Sequence, residues 1–380
     1  LANSNLIVTF TGLKRQYQNL KEELMEAIDS VYRTGLVLDG VFTRRFEDKI
    51  AQRCGRRFAV AVNSGTQALV FAQSADSTTL SRNRKVLIPT ISFIATLNSV
   101  LMARNHPVFC DVDDQALMDL ESIDFGLDAA GVETIMYVNL FGNTVDYDKF
   151  KVIANFFNRD IEIIEDAAQS FGASYKGRPS GSLGDVSILS FDPTKNLPNY
   201  GSGGMLLTDD PRRYEVFMDL RNNGKHTDYI GNDTNRIGTN SKMSESDCAQ
   251  MLVKLNHFDA WQERRRSIAD YYSRELAHED VDLPETTQDA VHAWHKYVIK
   301  MSDRYACGSY LNGRGVETKI HYDQPLHEYD IGISYVDYAK NLYRTSAAFC
   351  TECLSLPIYP EMADLEVEYV VESLKDYLKS

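Results

Sequence analysis

The feature that most constrains this chain is a series of short apolar runs separated by helical or irregular segments. Phe58 to Val62, Val86–Pro89, Val108–Asp111, Thr134–Val138 and the run of Ile161, Ile163 and Ile164 all have the length and residue types of buried strands. Val186, Ile188 and Leu189 continue the series, and Met205–Thr208 closes it. Strands alternating with helical segments are the rhythm of an α/β domain on a mostly parallel sheet.

Such a sheet places its chemistry outside the C-terminal ends of its strands. Two of the runs end there in reactive groups. Ile164 leads into Glu165-Asp166, with Gln169 three residues on. Leu189 leads through Ser190-Phe191 to a lone Lys195 in a Pro/Asn/Gly-rich loop. On its own, Lys195 reads equally well as an ordinary exposed charge. A carboxylate and an amine at one crevice, however, suit a bound pyridine cofactor. The lysine holds it covalently and the carboxylate keeps the ring nitrogen protonated.

Two further segments sit at strand ends. Asn63-Ser64-Gly65-Thr66 opens the helical stretch QALVFAQSA, so unpaired N–H groups and the positive end of a helix dipole point outward. Phosphate suits that turn, although a simple Ser or Thr cap explains it too. Phe93 follows the second strand, where its ring could stack on a planar cofactor or simply belong to the core.

The remaining periodicity predicts helices. Tyr17, Leu20, Leu24, Ala27, Ile28 and Val31 draw one apolar stripe, and Phe42, Phe46 and Ile50 another. The loop TGLVLDG between them could reach a pocket or a partner subunit. Residues 219–244 form a polar excursion that concentrates Arg221, Lys225, His226, Arg236 and Lys242, either a solvated face or a phosphate site. Glu245 to Leu276 is strongly helical and predicts a bridge between domains. After it, strand patterns at His295–Met301 and Glu317–His321 alternate with helices at 336–350 and 364–379, which predicts a smaller α+β domain.

With 380 residues the chain exceeds the usual single-core size, so two domains are expected, with the cofactor-binding part at 1–250 and the linking helix and small domain at 251–380. A formal net charge of −14 argues against binding nucleic acid or an anionic membrane. No apolar run approaches the roughly twenty residues of a membrane span, and no signal-peptide pattern is present. The cysteines at 54, 110, 248, 307, 350 and 353 are scattered, as in a reducing cytosol, and a cytoplasmic location is expected. Cys350 and Cys353 form a CxxC pair, weak evidence for zinc or redox work; they read as packing residues and no metal is expected.

Taken in order, eight segments resemble the DegT/DnrJ/EryC1 family of pyridoxal-phosphate-dependent nucleotide-sugar aminotransferases. They are VNSGTQAL near 62–69, ISFIAT at 91–96, NLFGNTVD at 139–146, IEDAAQSFGA at 164–173, SFDPTKNL at 190–197, NSKMSE at 240–245, KIHYDQPLH at 319–327 and CLSLPIYPEM at 353–362. The resemblance implies the fold type I architecture, a large domain on a mostly parallel seven-stranded sheet flanked by helices, plus a smaller C-terminal α+β domain. By motif, Lys195 resembles the Schiff-base lysine and general acid/base, and Asp166 the partner of the pyridinium nitrogen. Gln169 resembles the group contacting the ring's phenolic oxygen, and Phe93 the aromatic stacked on the ring. Gly65 and Thr66, aided by Ser190, would hold the phosphate. Asn240 would reach the phosphate from the neighbouring subunit, which implies a homodimer with composite active sites. His321 and His327 match positions near the sugar or nucleotide.

The implied reaction moves an amino group from glutamate or glutamine to a nucleotide-linked keto-deoxysugar, through pyridoxal 5′-phosphate and its pyridoxamine form. The product class points to amino sugars for lipopolysaccharide, O-antigen or another glycan. Two departures bear on this. Lys242 stands where an arginine is common, keeping charge but losing the bidentate fork. Gly203-Gly204 lie eight and nine residues after Lys195, a spacing that resembles members aminating C3 rather than C4. The alternatives are a dehydratase or elimination enzyme on the same fold, where intact Lys195 argues against the histidine-dependent branch alone, and a non-catalytic sugar-binding regulator, against which intact Lys195 and Asp166 both argue.

Overall fold

The computed structural model describes residues 6–74, 83–122, 131–157, 161–225, 236–336 and 343–380. Its large domain opens with α1 (Leu13–Tyr32) and α2 (Val41–Cys54). Leu20, Leu24 and Val31 form the buried stripe of α1. Gly55 ends α2 at φ 65°, the left-handed position that favours glycine after a helix.

The strands follow as the apolar runs predict. They are β1 (Phe58–Val62), β2 (Lys85–Pro89), β3 (His106–Cys110), β4 (Val132–Val138) and β5 (Glu162–Asp166), then two-residue strands β6 (Ser174–Tyr175) and β7 (Arg178–Pro179), then β8 (Val186–Ser190) and β9 (Gly204–Thr208). Between them lie α3 (Gly65–Ala72), α4 (Ala95–Met102) and α5 (Tyr147–Phe157), and α6 (Pro211–Arg221) comes after β9. The seven-stranded sheet runs β1-β9-β8-β5-β4-β2-β3. Only β9 is antiparallel to its neighbours, pairing Leu206 with Val60 on one side and with Ile188 on the other. Apolar clusters bury both faces of the sheet, which is why its strands are near-continuous hydrophobic runs.

The long helix α7 (Glu245–Leu276) has the predicted bounds and packs against α1, α2 and the small domain. Its first residue reaches back to cap another helix. The Glu245 carboxylate accepts N–H bonds from Gly40 and Phe42, both at 2.9 Å, and from Thr43 at 2.7 Å. A carboxylate at the orphaned N–H groups of α2 fixes the chain entering that helix.

The small domain holds β10 (Ala290–Val291), β11 (Tyr297–Lys300), α8 (Arg304–Gly313), α9 (Arg344–Glu352), β12 (Cys353–Leu356) and α10 (Asp364–Leu378). β11 and β12 pair antiparallel, while β10 joins β6 and β7 of the large domain. Three expectations change here. Glu317–His321 is not a regular strand; it carries one isolated antiparallel pairing, Lys319 with Ser355. The helix expected from 336 begins at Arg344 among the described residues, and 337–342 lie outside them, as does His226. The N-terminal segment does not belong wholly with the large domain. Val8 donates its N–H to the Gly315 carbonyl at 2.8 Å, accepts from Glu317 at 2.9 Å and is buried in the small-domain core. No helix of the described residues is long and apolar enough to cross a membrane.

Candidate active site

A cavity of about 330 Å³ lies at the C-terminal ends of β1, β2, β4, β5 and β8. Asp166, the last residue of β5, forms part of its wall and is 3% exposed. Its Oδ1 accepts the Ala168 N–H at 3.0 Å, and Oδ2 accepts the Thr96 hydroxyl at 3.3 Å. Burial raises its pKa to about 6, against the pull of the Ala168 hydrogen bond and of Lys195.

The position of Asp166 is set by its neighbour. Glu165 points to the other face of the sheet, fully buried, and accepts five hydrogen bonds. Asn139, the Ser180 hydroxyl and the Gly181 N–H donate to Oε1 at 2.8–2.9 Å, and the Leu183 N–H and the Ser187 hydroxyl donate to Oε2 at 2.9 and 2.7 Å. This network ties the end of β5 to β4, β8 and the intervening turn, so the adjacent carboxylate enters the cavity from a rigid frame.

Lys195 comes from the turn after β8, where its N–H donates to the Asp192 carbonyl at 2.9 Å. Its amine shares the cavity with Asp166. Burial lowers its pKa, with Asp166 and Asp192 opposing. A lysine so desolvated is closer to the neutral form that nucleophilic work requires.

The turn after β1 supplies the third element. Ser64 caps α3, its hydroxyl accepting the Gln67 N–H at 3.1 Å. The first N–H groups of a helix lack partners inside it, and at α3 these belong to Gly65 and Thr66, both lining the cavity. A β-carbon on Gly65 would lie 2.8 Å from that of Ser190, so only glycine lets the helix start approach β8 this closely.

Gln169 and Phe93 also line the cavity. The Gln169 Oε1 accepts the Phe141 N–H at 3.0 Å, and its Nε2 donates to the Tyr322 hydroxyl at 3.2 Å. Phe93 is 52% exposed, which removes the core alternative for that ring. His321 is in the wall too, its Nδ1 2.8 Å from the Ser355 hydroxyl and its ring stacked on Phe10 at 5.7 Å. Burial first, then Lys296, Lys319 and Lys195, lower its pKa to about 3, so the imidazole is neutral.

Two of the expected residues are elsewhere. Asn240 is exposed and outside the cavity wall, its side-chain oxygen accepting from Lys242 at 3.3 Å. His327 is 3% exposed and buried against Phe109 and Tyr343, so it does not face the cavity; the match of its motif marks packing in this chain. Two of the cations considered for a phosphate site in 219–244 are already paired. Arg221 pairs with Glu47 at 2.7 Å and Asp39 at 3.5 Å, and Arg236 with Asp219 at 3.3 Å. Cys350 and Cys353 are buried in the core, where burial pushes both thiols up.

Phe10, Thr96, His295, Lys296, Lys319 and Tyr322 line the cavity without having been singled out. They arrive from the N-terminal segment, α4 and the small domain; Thr96, Lys319 and Tyr322 lie in the segments ISFIAT and KIHYDQPLH, whereas no motif marks Phe10, His295 or Lys296.

A buried carboxylate, a desolvated lysine and a helix start held open by a glycine fit pyridoxal 5′-phosphate, whose ring nitrogen, aldehyde and phosphate need those three partners. Fold and site together define a fold type I enzyme that uses this cofactor. The family model for DegT/DnrJ/EryC1/StrS aminotransferases matches residues 18–375, and the chain belongs to that family. It is 32% identical to the dTDP-3-amino-3,6-dideoxy-alpha-D-galactopyranose transaminase of Aneurinibacillus thermoaerophilus, over 98% of this chain and 99% of that one. The crystal structure of DesV from S. venezuelae superposes with a TM-score of 0.90 at 30% identity, covering 98% of this chain and 99% of that chain. NtdA from Bacillus subtilis, solved with bound PMP, gives 0.89 at 26% identity over 100% of this chain and 87% of that one. The protein is a pyridoxal-phosphate-dependent aminotransferase.

Proposed function

We propose that this enzyme transfers an amino group from glutamate or glutamine to a nucleotide-linked keto-deoxysugar. The observation that carries the assignment of roles is the meeting of Asp166, Lys195 and the start of α3 around one cavity. When bound, pyridoxal phosphate supplies an electron sink and carries the nitrogen between donor and acceptor.

The chain's own residues do the rest. Asp166 stays ionised opposite the positive ring nitrogen, an ion pair that offsets the cost of its burial. Lys195 Nζ takes a proton from the donor carbon that bears the nitrogen, and in the second half of the cycle delivers one to the sugar carbon that receives it. Gly65, Thr66 and Ser190 hold the phosphate, and Phe93 covers one face of the ring. Gln169, steadied by Tyr322 and the Phe141 N–H, turns its amide toward the phenolic oxygen. His321 faces the sugar as a neutral group.

The active unit in this proposal is a homodimer in which Asn240 completes the partner's phosphate site. Its exposure supports that placement, as does the neighbouring display of Leu36, Val37 and Leu38, each more than 40% exposed. Amination at C3 is favoured by the spacing of Gly203-Gly204 after Lys195, and the 3-amino product named for the Aneurinibacillus relative points the same way. The product would enter lipopolysaccharide, O-antigen or another glycan. Six free cysteine thiols suit a reducing, cytoplasmic setting. The domain division proposed is 1–250 and 251–380, amended by the N-terminal segment that joins the small domain.

The test is incubation with glutamate and matched 3-keto and 4-keto nucleotide sugars, with the new amine located by NMR. Nitrogen at C3 is expected. Nitrogen at C4 overturns the regiochemistry alone, and no transfer to either series by cofactor-loaded protein overturns the reaction.

A further inference from the structure

Three lysines line the catalytic cavity, Lys195, Lys296 and Lys319, together with two carboxylates, Asp166 and Asp192. Lys195 and Asp166 have roles in the proposed transfer; Lys296 and Lys319 have none. Lys296 precedes β11, is 8% exposed, and is fixed through its backbone N–H on the Phe141 carbonyl at 3.1 Å. Among the described residues, neither amine has a hydrogen-bonding or ion-pairing group of the protein within reach.

What the two amines share is a ring. Lys296 Nζ lies 4.8 Å from the Phe10 centroid and Lys319 Nζ 5.2 Å from it. His321, neutral, stacks on the same ring. An aromatic face attracts a cation but cancels none of its charge. Two amines around one ring therefore repel each other when both are charged; burial first, then Lys195, Arg265 and Lys319, lower the Lys296 pKa to about 7 against the pull of Asp192. Asp166 and Asp192 line the same cavity, but among the described residues no carboxylate lies within ion-pairing distance of either amine. A ligand's negative charge is what this arrangement lacks.

We propose that Lys296 and Lys319 form a carboxylate-binding subsite of the catalytic cavity. It holds an acid group of a substrate, borne either by the amino-acid donor or by an acidic keto sugar. The proposal rests on the aminotransferase assignment, because an amino-acid donor necessarily carries a carboxylate on the carbon whose proton Lys195 takes. Ammonium groups act as point charges without the fixed fork of arginine, so one pair can serve acids presented at different angles.

The test is calorimetric titration of cofactor-loaded protein with glutarate, UDP-glucuronate and UDP-glucose. Wild type is compared with Lys296→Met and Lys319→Met, which keep the length of the stem. Loss of a charge-assisted contact predicts binding of at least one acid weaker by about tenfold or more, with UDP-glucose changed by less than about twofold. Loss confined to glutarate assigns the subsite to the donor; loss confined to UDP-glucuronate assigns it to the sugar; loss of both assigns it to each half of the cycle. Equal weakening of UDP-glucose places the lysines on the diphosphate and overturns the proposal. So do unchanged affinities, a lowered melting temperature with unchanged affinities, or failure of wild type to bind either acid. If Lys296→Met does not fold, Lys319→Met decides alone, since that side chain is exposed. Amino transfer to keto sugars is scored separately, so failure of the reaction and failure of the subsite give different results.

Discussion

Gly65 and Ser190 stand so close that a β-carbon on the glycine would lie 2.8 Å from Ser190 Cβ and 3.0 Å from its Oγ. The start of α3 and the end of β8 are thereby pressed together at the proposed phosphate cradle. Gly65→Ala must push one of them away. Overpacking of this kind costs about 1–3 kcal/mol, and here the strain falls on the cofactor site. Titration of cofactor-free protein with pyridoxal phosphate should show affinity lower by about tenfold or more; an unchanged titration would sink the cradle.

Asp166 gives a pH-dependent prediction. In the cofactor-free chain its pKa is raised from 3.8 to about 6, chiefly by burial. The folded state therefore binds more protons than the unfolded state between those values. The sign is opposite to that of a paired carboxylate: this group costs nothing below about pH 4, and its penalty grows to a plateau above about pH 6. Asp166→Asn should make the cofactor-free protein more stable at pH 8 by roughly 1–3 kcal/mol, with the difference fading toward pH 4. Thermal melts of both proteins across that range check it. Turnover should fall by about a hundredfold or more, because a neutral amide cannot pair with a ring cation.

Composite sites predict complementation. Lys195→Ala and Asn240→Ala should each be nearly inactive as homodimers, the first by a factor of about a thousand or more. Mixed after brief dissociation, they should recover up to about a quarter of wild-type turnover, since a dimer of one of each keeps one intact site. No recovery, with mixed dimers demonstrated by mass, removes Asn240 from its proposed place.

Arg221 is expected to matter for folding rather than for anions. It is buried with Glu47, whose pKa is raised by its own burial against the pull of that arginine. Arg221→Met leaves an uncompensated buried carboxylate, at a cost of about 3–5 kcal/mol. Urea denaturation should show the loss, and Glu47→Gln in the same chain should restore part of it. Phosphate affinity of the refolded variant should be that of wild type.

The sheet was legible because its strands are buried on both faces, which makes Val60–Val62 and Ile163–Ile164 continuous apolar runs, and Val186–Leu189 one broken only by Ser187, all with clear ends. Asp166 and Lys195 were legible for the same reason, as polar residues just past such ends. Gly65 was half legible: the turn was marked, but not the Ser190 wall that makes glycine necessary. Phe10 and Lys296 left no signal and Lys319 only its place at the head of KIHYDQPLH, because the three come from distant segments and meet only in the folded chain. The histidine pair divided. His321 and His327 lie six residues apart in one motif, yet packing by Phe109 and Tyr343 takes the second out of reach of the cavity. Glu317–His321 alternates like a strand but makes one pairing, between Lys319 and Ser355 on the edge of β12 away from β11.

The seating of Val8 beside Val316, with Phe10 in the wall of the cavity, sets an order of events during synthesis. The strands that carry Asp166 and lead to Lys195 are all made before the segment around 315–317 that Val8 binds. Residues 8–10 are therefore among the first of the cavity's neighbours to be synthesised, yet their seat exists only once that distant segment has been added.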